Sequence, residues 1–145
     1  MTFILDTNAI SELRKVQAGK GNANVTTWSK RLDVSSCFIS VITLMELEIG
    51  VSLMEKKDPR QGSILRAWFN QAILLEFKGR VLPVNAAVAL HCAKFHVPHP
   101  ASDRDALIGA TALVYQMTVV TRNVSDFKHF GIPIFNPWED STCLV

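Results

Sequence analysis

Phe3-Ile4-Leu5-Asp6-Thr7-Asn8 puts three apolar residues directly against three polar ones. An apolar run so short and so abruptly ended reads as a buried strand, not a helix. Thr7 or Asn8 is placed to cap a helix through Ile10-Ser11-Glu12-Leu13. The same order recurs downstream. Cys37-Phe38-Ile39-Ser40-Val41-Ile42 reads as a second buried strand, and Thr43-Leu44-Met45-Glu46 follows it with the capping-box pattern. That helix is expected to run to about Lys57, with Leu47, Val51 and Met54 on one stripe. Arg80 to Val84 is a brief strand, and Asn85 can cap a helix through Val88, Leu90 and Ala93. Met117-Thr118-Val119-Val120-Thr121 is the clearest strand, and Ile134-Phe135 a last one.

The intervening segments fit helices and loops. Residues 17–24 are polar and glycine-containing, a loop, with a helix expected around Trp28 to Leu32. Asp58-Pro59 starts a helix whose apolar positions are Ile64, Leu65, Trp68, Phe69, Ile73 and Leu74. The two prolines of Val97-Pro98-His99-Pro100-Ala101 force a loop. Ser102-Asp103-Arg104-Asp105 then resembles a second capping box, opening a small-residue helix from Ala106 to Tyr115. Short strands alternating with longer helices argue for an α/β fold with a mostly parallel central sheet.

A chain of 145 residues fits a single domain spanning 1–145, and no linker, repeat or low-complexity segment divides it. Apolar residues at 48% and charged residues at 19% are ordinary for a globular protein. A net charge of +2 is too mild to announce a nucleic-acid binder by itself, yet leaves room for a basic face beside an acidic site. Cys37, Cys92 and Cys143 form no C-x-x-C pair, so neither a zinc ribbon nor a redox motif is supported, and free thiols in a reducing compartment are expected. The first residues lack the basic and apolar regions of a signal peptide, and no apolar run is long enough to cross a bilayer. The expected location is cytoplasmic, with no membrane partner.

The carboxylates carry the chemistry. Asp6 ends the first strand; Asn123 and Asp126 lie just past the strand at 117–121. Glu46 and Asp105 open helices that follow strands. In open parallel sheets, sites form outside the carboxyl ends of the strands, so these residues are expected to converge there. Two carboxylates about 4 Å apart repel by roughly 4 kcal/mol at an effective dielectric near 20. Either some protonate or a cation sits among them. Oxygen donors select Mg²⁺ or Mn²⁺ over Zn²⁺. Such an ion suits phosphodiester hydrolysis, with a neighbouring carboxylate as general base. Taken singly, Glu46, Asp105 and Asp126 also read as cap or turn residues.

Other features carry less. His91, Cys92, His96 and His99 cluster in sequence but not on one helical face, so surface or partly buried histidines are favoured over a zinc site. Asp103 reads as solvated or capping. Arg14, Lys15 and most other cations read as solvated faces, while Arg104 and Arg122 adjoin the acid motifs and suit backbone-phosphate contacts. Trp28 and Trp68 read as core or interface residues.

Ile4-Leu5-Asp6-Thr7-Asn8, Ser40 to Leu47, Asp105 to Ala112, Thr121 to Phe127 and the ending Phe135-Asn136-Pro137-Trp138 together resemble the PIN-domain family, in order and spacing. The branch most similar is the VapC-type toxins, including FitB-like proteins. The resemblance implies a three-layer α/β/α sandwich and a Mg²⁺- or Mn²⁺-dependent endoribonuclease. It also implies a homodimer, a cognate antitoxin, and a higher assembly with that antitoxin. By position it implies Asp6, Glu46 and Asp105 as metal ligands and catalytic acids, with Asp126 as a fourth acid. Thr7, Asn8, Thr121, Arg122 and Asn123 then position ligands or substrate. Asn123 stands where some relatives carry Asp.

Two rival readings remain at this point. An aspartyl-phosphate phosphatase would use Asp6 as nucleophile, but it wants a second Asp at position 8, which is Asn. A catalytically weak module binding RNA or protein is kept open by the neutral Asn123.

Overall fold

The computed structural model describes residues 1–139. Strands β1 (Phe3–Leu5), β2 (Cys37–Ser40), β3 (Val81–Leu82), β4 (Thr118–Val120) and β5 (Ile134–Phe135) form one sheet in the order β3-β2-β1-β4-β5. Each neighbouring pair is parallel. The helices are α1 (Thr7–Gln17), α2 (Ala23–Arg31), α3 (Val41–Lys57), α4 (Pro59–Trp68), α5 (Ala86–Phe95), α6 (Asp103–Tyr115) and α7 (Val124–Phe127). A π-helical stretch, Phe69–Leu75, continues α4.

The strand pattern divides the core into two. Phe3 and Leu5 pack with Ala9, Ile10, Val25, Trp28, Leu47, Val51, Phe69 and Ile73. Ile4, between them, packs on the other face with Val88, Ala106, Ile108, Ala110, Val119 and Phe127. Alternate residues of a strand point to opposite faces, so α1 to α4 cover one side and α5 to α7 the other. The result is the expected three-layer α/β/α sandwich. Full burial of each large aliphatic side chain contributes about 1.5–3 kcal/mol, and Ile4, Leu5, Ile39 and Val119 are all essentially inaccessible. At Gly109 an added Cβ would lie 2.6 Å from the Phe130 ring, so glycine lets α6 approach the 3-10 turn Lys128–Phe130.

Several expected boundaries move. Asp6 itself, not Thr7 or Asn8, caps α1: its backbone is extended and its carboxylate accepts from the Thr7 N–H. Ser40, not Thr43, caps α3, and its hydroxyl accepts from Ile42 N–H. The second strand ends there, two residues earlier than its apolar run suggests, and Thr43 is buried inside the helix. Glu46 therefore sits in the second turn of α3 and is not the partner of a capping box. Ser102 holds the cap position of α6 but makes no side-chain cap bond. The polar loop shrinks to residues 18–22, because Asn22 caps α2 at Ala23. Cys37 and Cys92 are free, as expected; Cys143 lies outside the described residues.

The topology fixes where a site can form. From β1 the chain winds outward to β2 and β3, then returns past β1 to β4 and β5. The strand order reverses between β1 and β4, and the crevice beyond their carboxyl ends is the usual binding place in such sheets.

Candidate active site

Asp6 stands at that reversal. Its N–H extends the ladder to Val120 C=O at 3.0 Å, which ties it to the end of β4 as well as β1. The residue is 6% exposed. Its Oδ1 accepts from Thr7 N–H at 2.8 Å, and its Oδ2 accepts from the Thr121 hydroxyl at 2.8 Å and from Asn8 Nδ2 at 3.1 Å. Asn8 in turn accepts from Arg122 N–H at 3.1 Å, and the Thr121 hydroxyl oxygen accepts from Asn123 N–H at 3.0 Å. Thr121 is fully buried. The segments after β1 and β4 are thus laced into one frame around a single carboxylate.

This frame bears on the phosphatase reading. Both Asp6 oxygens are engaged, and Asn8, where that chemistry wants an acid, donates to Asp6 instead. The aspartyl-phosphate alternative therefore finds no support in the geometry.

The other acids approach from three helices. Asp105 is half-buried at the start of α6, Glu46 reaches in from α3, and the exposed Asp126 lies in the short α7. Burial pushes the Asp105 carboxyl up to about 6, and the charges of Asp6, Asp126 and Glu46 add to the effect. Burial also raises Asp6, against its hydrogen bonds from Thr121 and Thr7, with Glu46 and Asp126 again adding. Asp6 and Asp105 therefore both sense the charges of Glu46 and Asp126 across the crevice. Asp126, not the neutral Asn123, supplies the fourth charge.

Glu46 is partly drawn aside. Its Oε1 accepts from the Thr7 hydroxyl at 2.9 Å, and its Oε2 faces the Arg104 guanidinium at 3.5 Å. Among the described residues, no three carboxylates, imidazoles or thiols close into a ready-made metal cage. The donor set nonetheless fits a hard divalent cation. It is all oxygen, and both the burial and the neighbouring negative charges that raise the Asp6 and Asp105 pKa values are effects a cation would offset.

A pH dependence follows for the metal-free protein. Asp6 and Asp105 bind protons more tightly when folded than when unfolded, where an aspartate titrates near 3.8. The folded state then carries more bound protons, so stability falls as pH rises. For Asp105 the favourable contribution is complete below pH 3.8 and lost as pH rises through about 6. Denaturant midpoints in EDTA, taken as the difference between wild type and Asp105→Asn across that window, should shrink toward acid pH. A difference flat with pH would contradict the coupling.

The remaining expected residues separate. The Arg122 guanidinium lies over the Trp138 ring, 5.9 Å from its centroid, while its N–H serves Asn8. Asn123 is exposed, joined to the frame through its N–H alone. His96 is a structural latch: its Nδ1 accepts from Ala101 N–H and its Nε2 faces Asp103 at 3.4 Å. His91, His96 and His99 form no metal cluster among the described residues. Two features escaped the sequence reading. One is the Arg104 tie to Glu46, invisible because the partners lie on different helices. The other is a trough of about 240 Å³ beside Thr7 and Glu46, lined also by Ser11, Arg14, Lys15 and Trp68.

Comparison with known proteins agrees with this architecture. A family model described as PIN domain matches residues 3–132, a span that holds Asp6, Glu46, Asp105 and Asp126. Toxin FitB of Neisseria gonorrhoeae is 35% identical over 144 residues, covering 95% of this chain and 99% of that protein. VapC ribonuclease Y4jK of Sinorhizobium fredii is 31% identical over 142 residues, covering 94% and 98%. The crystal structure of FitAcB from Neisseria gonorrhoeae aligns with a TM-score of 0.84 at 32% identity, over 94% of this chain and 99% of that chain. With the parallel sheet, the acids at its point of reversal and these matches along nearly the whole sequence, the chain belongs to the PIN-domain family.

Proposed function

We propose that this protein is the ribonuclease toxin of a type II toxin–antitoxin pair, hydrolysing RNA phosphodiester bonds with Mg²⁺ or Mn²⁺. The observation that carries the reading is the convergence of acids at the sheet's point of reversal, where Asp105 is half-buried and the charges of Asp6, Asp126 and Glu46 add to the burial that raises its pKa. The similarity to proteins named as a toxin and as a VapC ribonuclease supports the substrate and the biological role. Their span argues for one catalytic domain over residues 1–145. No helix among the described residues is long and apolar enough to cross a membrane, which suits a cytoplasmic enzyme. A cognate antitoxin is the expected partner, and a homodimer that assembles further with it the expected form.

Asp6, Asp105 and Glu46 are the residues that would hold the ion, and Thr7, Asn8 and Thr121 fix two of them. A divalent cation there supplies positive charge against the phosphate and acidifies the attacking water. Asp126 is exposed and makes no ion pair with a described residue, so it is the acid assigned to accept the water's proton. Asn123 and Arg122, on the loop after β4, are assigned to position the substrate. No covalent nucleophile is needed.

Sequencing of RNA 5′ ends after induced expression tests the function. Wild type should create new, recurring ends that Asp6→Asn does not. Identical ends in both would remove the ribonuclease reading. The neutral Asn123 and the open arrangement of the acids favour one rival, a binding module. RNA binding undiminished by EDTA, without cleavage at any metal concentration, would select it.

A further inference from the structure

The trough beside the acid site has a polar wall with a direction. Thr7, Ser11, Arg14 and Lys15 recur at helical spacing along α1, so they form one stripe that starts beside Asp6 and runs toward the helix's end. At 1.5 Å per residue, Lys15 lies on the order of 12 Å from Thr7 along the axis. Glu46 and Trp68 belong to the same trough. It is therefore continuous with the acid site and ends at two cations.

Among the described residues those cations have no carboxylate partner. The ion pairs among the described residues use Arg66, Arg80, Arg104 and His96, and neither Arg14 nor Lys15 appears in one. Arg14 is held another way: its guanidinium lies over the Trp68 ring, 5.5 Å from the centroid. A cation–π contact orients the fork without using its N–H donors, which stay free for an anion. Arg104, by contrast, is engaged by Glu46.

We propose that this trough receives the RNA strand flanking the scissile phosphate, with Arg14 and Lys15 as its backbone-phosphate contacts and Trp68 as the residue that positions Arg14. The inference rests on the ribonuclease reading above. It gives substrate affinity a location apart from the acids, which repel the phosphates they act on. Backbone contacts of this kind hold a strand in register without reading its bases.

The test uses the full chain and a fluorogenic single-stranded RNA oligonucleotide of mixed sequence, with Mn²⁺. Arg14→Gln and Lys15→Gln should each raise KM several-fold, by far more than they lower kcat. In the double variant the slope of log affinity against log salt should become shallower by about 1.4, since each contact to a single strand contributes roughly 0.7. Trp68→Leu should raise KM only while Arg14 is present, and Trp68→Phe should restore it. Lys57→Gln, at the far end of α3, is the control and should behave as wild type. If wild type cleaves and the double variant keeps its KM and salt slope, the trough is not the RNA path. The same holds if the variants lose only inhibition by a co-purified antitoxin, which would make the trough a protein-docking surface. If wild type cleaves no RNA at all, the ribonuclease reading itself fails.

Discussion

Asp105→Asn is expected to lower Mn²⁺-dependent RNA cleavage on the order of 10²- to 10⁴-fold, because it removes a carboxylate that would hold an ion contributing several kcal/mol of transition-state charge stabilisation. The same change is expected to raise the thermal midpoint of the metal-free protein at neutral pH. Both effects have one cause. The ionised Asp105 carboxylate is half-buried, and Asp6, Asp126 and Glu46 all disfavour its charge. Asparagine keeps the volume and removes the charge, so the folded state without metal is relieved. Saturating metal should reverse the order. An ion that binds only the folded protein stabilises it by about 2.7 kcal/mol at a hundred times its dissociation constant. Wild type should gain that stabilisation and the variant most of it should lack. Thermal melts of both proteins in EDTA and in Mn²⁺, beside cleavage rates, check the crossover. Parallel responses of the two proteins to metal would show that Asp105 does not bind the ion.

The second large effect is expected at Thr121, which carries no charge. Its buried hydroxyl donates to Asp6 Oδ2 at 2.8 Å and accepts from Asn123 N–H at 3.0 Å. Thr121→Val preserves shape and deletes these bonds together with the one from Asn8 Nδ2 at 3.3 Å. A hydrogen bond to a charged group contributes about 1.5–3 kcal/mol, so a loss of that size is expected in denaturant unfolding. Asp6 should also become harder to ionise, because the Thr121 bond is the largest influence holding its pKa down. Apparent metal affinity measured through cleavage should weaken about 10- to 100-fold, the usual effect of losing a partner that orients a ligand. Thr121→Ser keeps the hydroxyl and should retain most of both properties. Wild-type stability and metal response in Thr121→Val would mean that the frame around Asp6 is incidental.

The strands and their order of alternation with helices were legible because their apolar runs are short and sharply bounded. Phe3-Ile4-Leu5 reads as a strand for the reason it is one: both faces are buried, and at Asp6 the chain caps α1 and turns away. Helix starts were less legible. Val41 and Ile42 extend an apolar run that looks like strand, yet they begin α3, because the Ser40 hydroxyl caps there. Local pattern could not separate that cap from the equally plausible Thr43. The error displaced Glu46 from a cap to the second turn, where it meets Thr7 across helices.

The site was legible as a set of residues more than as an arrangement. Asp6 and Thr121 mark the carboxyl ends of β1 and β4, and parallel pairing alone brings them together. What sequence spacing cannot supply is the contest for each carboxylate. Thr7 and Arg104 pull on Glu46, while Asp6 is held by Thr121 and Asn8. Nor can it distinguish a solvated cation from an unpaired one, so Arg14 and Lys15 passed as ordinary surface until the trough and Trp68 appeared beside them.

Anomalous diffraction from Mn²⁺-soaked crystals locates the ion directly. A peak in contact with carboxylate oxygens of both Asp6 and Asp105, absent in Asp105→Asn, is the expected result. Manganese seated away from these two acids in a protein that still cleaves RNA would contradict the assignment of this crevice as the catalytic centre.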